Sequence, residues 1–372
     1  MLWCKRCVLP LSSAVTISLD EDGICSACRV HEQKKSIDWE QRFNFLLEEI
    51  EEYRTSTSYD CVIGVSGGKD SYYQVHFVKE KLGLNPLLVT YNGNNYLDVG
   101  WENLQRMKEV FNVDHYIITP SVDLLIRLNR LGFTMMGDMN WHNHAGIATL
   151  PMQLAAKLKI PLVFWGEHGW TDLGGMHSMH DFVEYTARFR KDQQMRGYDW
   201  YDMINLQDEI ISEKEMGLFK YPSDKEISEV GLRGLFIANY DIWDANAHTK
   251  LVKERYGWKE SPVPFERTYR RFSNLDDRYE NGAHDYLKYI KFGYGRATDH
   301  ACKDIRSGYL SREKGIEMVQ RYDHIRPSDL DFWLEYVDRD EEWFYSIANT
   351  FRSQKVWSKK NDNTWIKENL WD

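Results

Sequence analysis

The sequence predicts the α/β fold class, with a parallel, doubly wound sheet covered by helices on both faces. The first observation is that short apolar segments typical of buried strands alternate with amphipathic segments typical of helices up to about residue 175. The second is a glycine-rich turn directly after the first of these strands. Because ligands of such sheets bind beyond the carboxyl ends of the strands, we expect the functional residues there.

Chain length, apolar runs and net charge limit the classes of protein to which this chain can belong. The chain has 372 residues, enough for two to three domains at about 150 residues each. The longest apolar runs, such as 161–165, are too short to cross a membrane, and no basic segment followed by an apolar stretch opens the chain. We therefore expect a cytoplasmic protein with no membrane partner. A net charge of −10 disfavours a nucleic-acid partner.

Four of the six cysteines form two C-x2-C pairs near the N-terminus. Their spacing is typical of a four-thiolate Zn²⁺ site, in which each pair occupies two corners of a tetrahedron. We predict a structural zinc ribbon over residues 1–35, with a hairpin formed by Val15–Leu19 and the turn Asp20–Gly23. Two disulfides in a secreted domain are the alternative, which the missing leader disfavours. The predicted zinc ligands are Cys4, Cys7, Cys25 and Cys28.

The glycine-rich turn is Ser66-Gly67-Gly68-Lys69-Asp70-Ser71. A buried strand, Cys61–Val65, precedes it, and an amphipathic helix from Asp70 to about Leu82 follows and ends at Gly83. Two glycines allow several backbone N–H groups to converge on an anion at the helix N-terminus. The Walker pattern is absent. Because Asp70 is too acidic for a plain anion site, we expect Mg²⁺ to accompany the bound phosphates.

The remaining elements of this domain follow in order. Strands are predicted at Pro86–Tyr91, His115–Thr119 and Pro161–Trp165, and helices at Asp98–Phe111 and Ala145–Lys159, the latter kinked at Pro151. Tyr91 and Asn92 close the second strand, whereas Gly166, Glu167 and then Asp172 follow the fourth. These residues are expected to lie beside the glycine-rich turn.

Segment 66–71 resembles the SGGxDS signature of the PP-loop ATP pyrophosphatases, which have an adenine-nucleotide α-hydrolase-like fold and cleave ATP between the α and β phosphates. The resemblance implies ATP and Mg²⁺ as cofactors, and a PP-loop domain over residues 36–175. The implied cofactor-binding residues are Ser66, Gly67, Gly68, Lys69, Asp70, Ser71, Tyr91, Asn92 and Gly166. The implied catalytic residues are Lys69, Asp70, Ser71 and Glu167. The implied magnesium ligands are Asp70 and Asp172.

Zinc knuckles ahead of a PP-loop occur in two families, the tRNA thiolases and the N-acetyl sugar amidotransferases of lipopolysaccharide O-antigen and pseudaminic-type sugar synthesis. The chain is similar to the second family in its opening residues 4–10 and 22–28, in Gly137–Gly146, and in residues 289–313. Thiolation, the alternative, usually needs reactive cysteines near the ATP site, and the chain has no third C-x2-C pair. The negative net charge of the chain also disfavours binding to the negatively charged tRNA.

The amidotransferase resemblance implies that ATP adenylates the N-acetyl carbonyl oxygen of a bacterial sugar acid. Ammonia then displaces AMP and leaves an acetamidino sugar. A glutaminase nucleophile is not evident, because Cys61 lies in a strand and Cys302 lacks flanking glycines; both are expected to be buried structural cysteines. The resemblance therefore implies two partners that supply ammonia, a glutaminase subunit and a cyclase-like barrel subunit. A scaffold that only binds nucleotide is the non-enzymatic alternative.

Residues 176–372 are predicted to form a mostly helical substrate or lid region, ending in helices at Ser328–Val337 and Asp340–Phe351. Gly293–Arg296 is interpreted as a mobile loop over an anionic ligand. The histidines at 168, 177 and 180 lack a fixed ligand pattern and are interpreted as loop residues. The expected substrate-binding residues are Trp141, His142, Asn143, Lys291 and Arg296.

Overall fold

A five-stranded parallel sheet lies at the centre of the chain, in a computed structural model that describes residues 1–54, 58–93, 95–206 and 209–372. The strand order is β3-β2-β1-β4-β5, and every neighbouring pair is parallel. The strands are β1 Cys61–Gly64, β2 Pro86–Tyr91, β3 His115–Ile118, β4 Leu162–Trp165 and β5 Arg233–Phe236. The predicted fold class is confirmed. The strand order reverses between β1 and β4, which is where such sheets bind ligands.

Helices cover both faces of the sheet, so its central strands are buried on both sides. All six residues of β2 are buried. Val62 and Leu87 belong to one apolar core, whereas Ile63 and Leu88 belong to the other. Because successive side chains point to opposite faces, uninterrupted apolar runs of this kind identify a doubly covered strand.

The three helices predicted in the first half of the chain are present, and four helices that were not predicted accompany them. Together they are α1 Ser26–Gln33, α2 Trp39–Glu51, α3 Lys69–His76, α4 Asp98–Phe111, α5 Val122–Met136, α6 Trp141–Leu158 and α7 Gly169–Gly174. A π turn, Phe77–Lys81, continues α3 toward Gly83, whose φ of +64° suits a helix end. Helix α6 begins four residues before the predicted start and continues through Pro151.

The second half is mainly helical, as predicted, but it also supplies strand β5. Its helices are α8 Ala187–Phe189, α9 Asp224–Val230, α10 Ala245–Tyr256, α11 Glu280–Phe292, α12 Arg296–Arg306, α13 Arg312–Tyr322, α14 Asp329–Tyr336 and α15 Glu341–Ala348. A two-stranded hairpin, β6 Ser358–Lys359 and β7 Trp365–Ile366, follows. Because β5 pairs with β4, the sheet extends past the predicted domain boundary at residue 175. In the described ranges, no helix combines the length and apolar character needed to span a membrane.

The predicted hairpin forms only in part: the turn Asp20–Gly23 is present, with the Asp20 N–H donating to the Ile24 carbonyl at 3.1 Å, but Val15–Leu19 forms no regular strand. Only an isolated bridge joins Leu19 to Cys25. The Ser18 N–H donates to Ser26 Oγ at 3.3 Å across this hairpin, whereas the preceding Ser13 Oγ shares a hydrogen bond with Tyr294 Oη at 2.9 Å. The N-terminal residues therefore pack against the C-terminal region, in a core that includes Tyr294 and Cys302.

Candidate active site

The glycine-rich turn is held in one conformation by its neighbours. Gly67 has a φ of +77°, and a Cβ built on it would lie 2.7 Å from the backbone of Leu104, so only glycine fits. The indole N–H of Trp258 donates to the Gly67 carbonyl at 3.0 Å, and the Ser66 N–H donates to Ser71 Oγ at 2.9 Å. These contacts hold the N-terminus of α3 in one geometry, which is suited to bind an anion.

A cavity of about 210 Å³ opens at this turn. The turn and Glu167 form one wall, and residues 270–276 and α12 form the other. Its charged lining includes Lys69, Asp70, Glu167, Arg270, Arg296 and Lys303. Of the predicted catalytic and loop residues, Ser66, Gly68, Lys69, Asp70, Ser71 and Glu167 are brought together here. The site thus combines an anion-binding helix end with both carboxylates and cations.

Asp70 and Lys69 form an ion pair in which Nζ lies 2.6 Å from Oδ2. Burial would raise the pKa of Asp70, but the Lys69 ammonium outweighs it and lowers that pKa below its usual value. The second carboxylate oxygen, Oδ1, is buried without a hydrogen-bond partner. An orphaned carboxylate oxygen beside a phosphate-binding helix end fits a Mg²⁺ ion bound together with phosphates.

Lys303 links the two carboxylates that follow β4. Its Nζ lies 2.9 Å from Glu167 Oε1 and 2.8 Å from Asp172 Oδ2. Burial raises the pKa of Glu167, whereas for Asp172 the charges of Lys303 and Lys34 outweigh burial and lower the pKa. Asp172 does not line the cavity at the glycine-rich turn; it lies behind Lys303 beside His31 and Lys34. The structure therefore does not join Asp172 to Asp70 as a ligand pair.

Arg296 lines the cavity from the start of a helix, whereas the sequence predicted that it lies in a mobile loop. Gly293, with a φ of +77°, ends α11, and Arg296 is the first residue of α12, so the predicted mobile loop is a tight turn between two helices. Asp285 Oδ1 accepts from Arg296 Nε at 2.9 Å, which orients the guanidinium. Tyr294, between the glycines, is buried.

Several predicted ligand-binding residues lie in the core instead. Tyr91 is 5% exposed, and its ring packs against Gly93 and Gly146. Its hydroxyl lies 3.2 Å from His142 Nδ1, and His142 Nε2 lies 3.0 Å from Glu280. The structure therefore does not place Tyr91 or His142 in the cavity.

The other predicted binding residues also lie away from it. The indole N–H of Trp141 donates to the Tyr198 carbonyl, and Asn92 Nδ2 donates to Thr119 Oγ1. Gly166 lies where a Cβ would meet Trp243 at 2.7 Å, so its role is close packing. Asn143, near the start of α6, is half-buried and does not line the cavity.

Lys291 is not a cavity residue either. Its Nζ donates to the Gly137 carbonyl at 2.9 Å, next to the end of α5. Burial lowers the pKa of Lys291 to about 8 from an ordinary value of 10.5. The charge on this side chain is therefore disfavoured by folding.

This shift predicts a pH dependence of stability. Between about pH 8 and 10.5 the unfolded chain keeps the Lys291 proton that the folded chain has lost, so stability rises with pH across that window. We expect the difference in unfolding free energy, wild type minus Lys291→Met, to rise from pH 8 to 10.5 in denaturant titrations. Lys225→Met, at an exposed site, controls for loss of a lysine. A flat difference curve would contradict the assignment.

The four cysteines of the two C-x2-C pairs form one buried cluster. Their ligand atoms all lie within 4.8 Å of one another. Cys4 and Cys28 Sγ are 3.9 Å apart, and Cys7 and Cys25 Sγ are 3.8 Å apart. A tetrahedral ion with Zn–S bonds of about 2.3 Å requires sulfur separations of about 3.8 Å. The donor set therefore fits one structural Zn²⁺.

The cysteine cluster is joined directly to the site. Arg306 Nη1 donates to the Asp172 carbonyl at 2.8 Å, and its Nη2 lies 3.8 Å from Cys7 Sγ. Ser26 Oγ donates to the Gly174 carbonyl at 2.6 Å. A Cβ on Gly175 would lie 2.5 Å from the Ser26 backbone. Helix α7 therefore packs against the N-terminal segment that carries the four cysteines, which we call the cysteine module.

The ionisable cavity residues that were missed from the sequence are Arg270, Asp276, Asp299, His300 and Lys303. Arg270 pairs with Asp304, and His300 Nδ1 lies 2.6 Å from Thr268 Oγ1. Each lies at least 199 residues after Ser71 and belongs to no spaced motif. His300 and Lys303 lie within residues 289–313, on which the family resemblance rests, but only Lys291 and Arg296 were selected from that stretch; Arg270 lies outside it.

Comparisons with known proteins identify the C-terminal region. Residues 266–370 match the model of the C-terminal domain of the "LPS biosynthesis protein WbpG-like" family. An uncharacterized protein of Methanocaldococcus jannaschii is 27% identical over 120 residues, which are 31% of this chain and 42% of that protein. The chain thus spans less than half the length of this relative.

Solved structures resemble the chain only loosely. The NH3-dependent NAD synthetase of Campylobacter jejuni is 19% identical, with a TM-score of 0.30 over 39% of this chain and 63% of that one. The NMN synthetase of Francisella tularensis is 14% identical, with a TM-score of 0.30 over 61% and 99% of the two chains. A U34-tRNA thiolase of Methanococcus maripaludis is 12% identical, with a TM-score of 0.31 over 83% and 87%.

The family match therefore covers the C-terminal region, and the resemblance of the remaining chain rests on the sequence motifs. The matched range contains Arg270, Arg296, His300 and Lys303, so it supplies part of the lining of the cavity that the SGGKDS turn also lines. In this region the sequence resemblance is confirmed: residues 266–370 match the C-terminal domain model of the WbpG-like lipopolysaccharide biosynthesis family.

Proposed function

We propose that this protein is an ATP-dependent, AMP-forming amidotransferase that converts the N-acetyl group of a bacterial sugar acid into an acetamidino group. One observation supports the proposal: the SGGKDS turn, which resembles an ATP-binding turn, lines the same cavity as Arg296 and Lys303 of the range that matches the WbpG-like domain model. ATP and an anionic sugar would therefore meet in one enclosed space. Zn²⁺ at the cysteine cluster would be structural, because four thiolates leave no open coordination position.

The chemistry takes place in two displacements. The N-acetyl carbonyl oxygen attacks the α phosphorus, an O–P bond forms, and pyrophosphate leaves with the bonding electrons. Ammonia then attacks the imidate carbon and AMP departs, while one ammonia proton passes to a base and the amidine remains. An amide oxygen is a weak nucleophile, so positioning and charge stabilisation must supply most of the rate enhancement.

The residues at the turn suit the first displacement. The Lys69 ammonium and the N–H groups at the start of α3 would stabilise the negative charge that grows on the leaving pyrophosphate. Asp70 would hold Mg²⁺, which neutralises phosphate charge when bound. Glu167 would take the ammonia proton, because burial raises its pKa toward the range of a useful base.

Arg296 is the proposed contact for the sugar acid. Replacing it with glutamine should raise the KM for the sugar by roughly 10- to 100-fold, the loss expected for a charge-assisted hydrogen bond, with little change in the KM for ATP. Asp285 keeps a partner in this variant, because Arg267 Nε lies 3.0 Å from its Oδ2. Arg188→Gln, at an exposed site, is the matched control. Equal changes in both KM values would contradict this role.

Ammonia is proposed to come from a separate glutaminase subunit, together with a cyclase-like barrel subunit. All six cysteines are buried, so none offers an accessible nucleophile for glutamine hydrolysis. The same burial removes any specific support for tRNA thiolation, because a sulfur relay needs a reachable thiol.

The decisive assay supplies Mg-ATP, ammonium and a panel of N-acetylated sugar acids, then separates AMP from ADP and weighs the sugar. We expect AMP and pyrophosphate only with the matching sugar, and exchange of one oxygen for an N–H group. ADP formation would exclude the mechanism. ATP binding with no AMP release, at full ammonium and with the whole panel, would favour the scaffold alternative.

A further inference from the structure

A second group of side chains of the kind that bind metal ions lies outside the cavity at the glycine-rich turn. Asp138 precedes α6, His144 lies in the first turn of α6, and His284 lies in α11. These three side chains each place one ligand atom within 4.8 Å of the others. Two imidazoles and one carboxylate are a donor set that binds divalent transition metals.

The loop that carries Asp138 contains buried polar atoms without partners. His144 Nε2 and the side-chain oxygens of Asn140 and Asn143 have no hydrogen-bond partner. Asn140 is only 4% exposed. Buried polar atoms are nearly always satisfied, so three orphans within five residues indicate that something binds at this place.

Asp138 is oriented in the way expected of a metal ligand. Its Oδ2 accepts from Arg196 Nε, while its Oδ1 accepts from the Asn140 N–H at 3.1 Å and lies 3.4 Å from His284 Nε2. The outer hydrogen bond from Arg196 orients the carboxylate, and Oδ1, which lies toward His284, is the oxygen that would face an ion. The nearby cation Lys291 points its Nζ at the Gly137 carbonyl. An anion at this place would be repelled by the negative charge of the Asp138 carboxylate.

We propose that Asp138, His144 and His284 bind a divalent transition metal ion such as Zn²⁺ or Co²⁺. With three protein ligands, the ion keeps at least one position for water or another ligand. Asp285, the residue after His284, orients Arg296 in the cavity at the glycine-rich turn. A bound ion would therefore restrict the motion of the part of α11 that positions this arginine. This proposal is independent of the proposed reaction.

The test is a titration of the metal-free full chain with Co²⁺, followed by absorption and by metal content after equilibrium dialysis. Cobalt bound to the cysteine cluster gives intense thiolate charge-transfer absorption, whereas cobalt bound to nitrogen and oxygen does not. We expect two Co²⁺ per chain, only one of them with the thiolate absorption. His144→Ala and His284→Ala should each lower the content to one while the thiolate absorption stays intact.

The thiolate absorption also reports whether each variant is folded. His180→Ala removes an exposed loop histidine and should still bind two ions. Asp138→Asn provides a near-isosteric third variant, with an expected loss of the second ion. Saturation of the wild type at one Co²⁺ per chain would overturn the proposal. A second ion that is unaffected by all three variants would overturn it as well.

Discussion

A Lys69→Met enzyme is expected to release AMP about 100- to 1000-fold more slowly than the wild type at saturating ATP. This is the loss typical when one group that stabilises developing charge is removed. The effect should be larger than for a surface lysine, because Lys69 both lines the cavity and pairs with Asp70 at 2.6 Å. Without Lys69 the pKa of Asp70 should rise, since the charge that lowers it is gone.

Single-turnover AMP formation measures this prediction, and calorimetric ATP binding separates chemistry from affinity. Lys250→Met is the matched control, because Lys250 is an exposed residue of α10 and does not line the cavity. We expect the control to retain the wild-type rate. A Lys69→Met rate within threefold of the wild type would show that the turn does not stabilise the leaving pyrophosphate.

A Cys25→Ser variant is expected to lose both its thiolate-bound metal and its folded N-terminal module. Structural zinc sites contribute about 10–16 kcal/mol of apparent binding free energy, which rivals the total stability of a domain. Because α7 rests on Ser26 and Arg306 joins Cys7 to Asp172, the damage should reach the site. We expect a Tm lower by more than roughly 10 °C and a loss of AMP formation.

Calorimetry and the cobalt–thiolate absorption test this prediction together. Cys302→Ala is the matched control, because Cys302 is a buried cysteine of the same core that lies outside the four-thiolate group. It should keep the thiolate absorption and lose only the stability expected for a small buried side chain. An unchanged Tm in Cys25→Ser would show that the cysteine module is not structural.

The parts that sequence predicted well are those whose signal is local. The SGGKDS turn and the C-x2-C pairs each encode their geometry within a few residues, and both form the predicted clusters. Strand β5 was missed because Arg233–Phe236 is a four-residue segment inside a region of weak periodicity. Tertiary pairing with β4, rather than local pattern, makes it a strand.

Side-chain direction at the strand ends was the weakest part of the prediction. Tyr91 closes β2 as expected, yet Gly93 and Gly146 leave room for its ring to lie against α6. Arg270 and Lys303 reach the cavity only through the packing of the C-terminal region, which no spacing near the turn encodes. A strand end predicts the edge of the sheet, but the glycines around it decide which way a side chain faces.

The position of α12 also has a consequence for protein synthesis. Ribosomes make the phosphate turn at residues 66–71 long before Arg296 and Lys303, which close the cavity around it. The cysteine module likewise lacks part of its core until Tyr294 and Cys302, against which it packs, have been synthesised. A nascent chain that has emerged only to residue 290 therefore holds the turn but no enclosed cavity. The cavity is therefore completed only late in translation, after α12 has been synthesised.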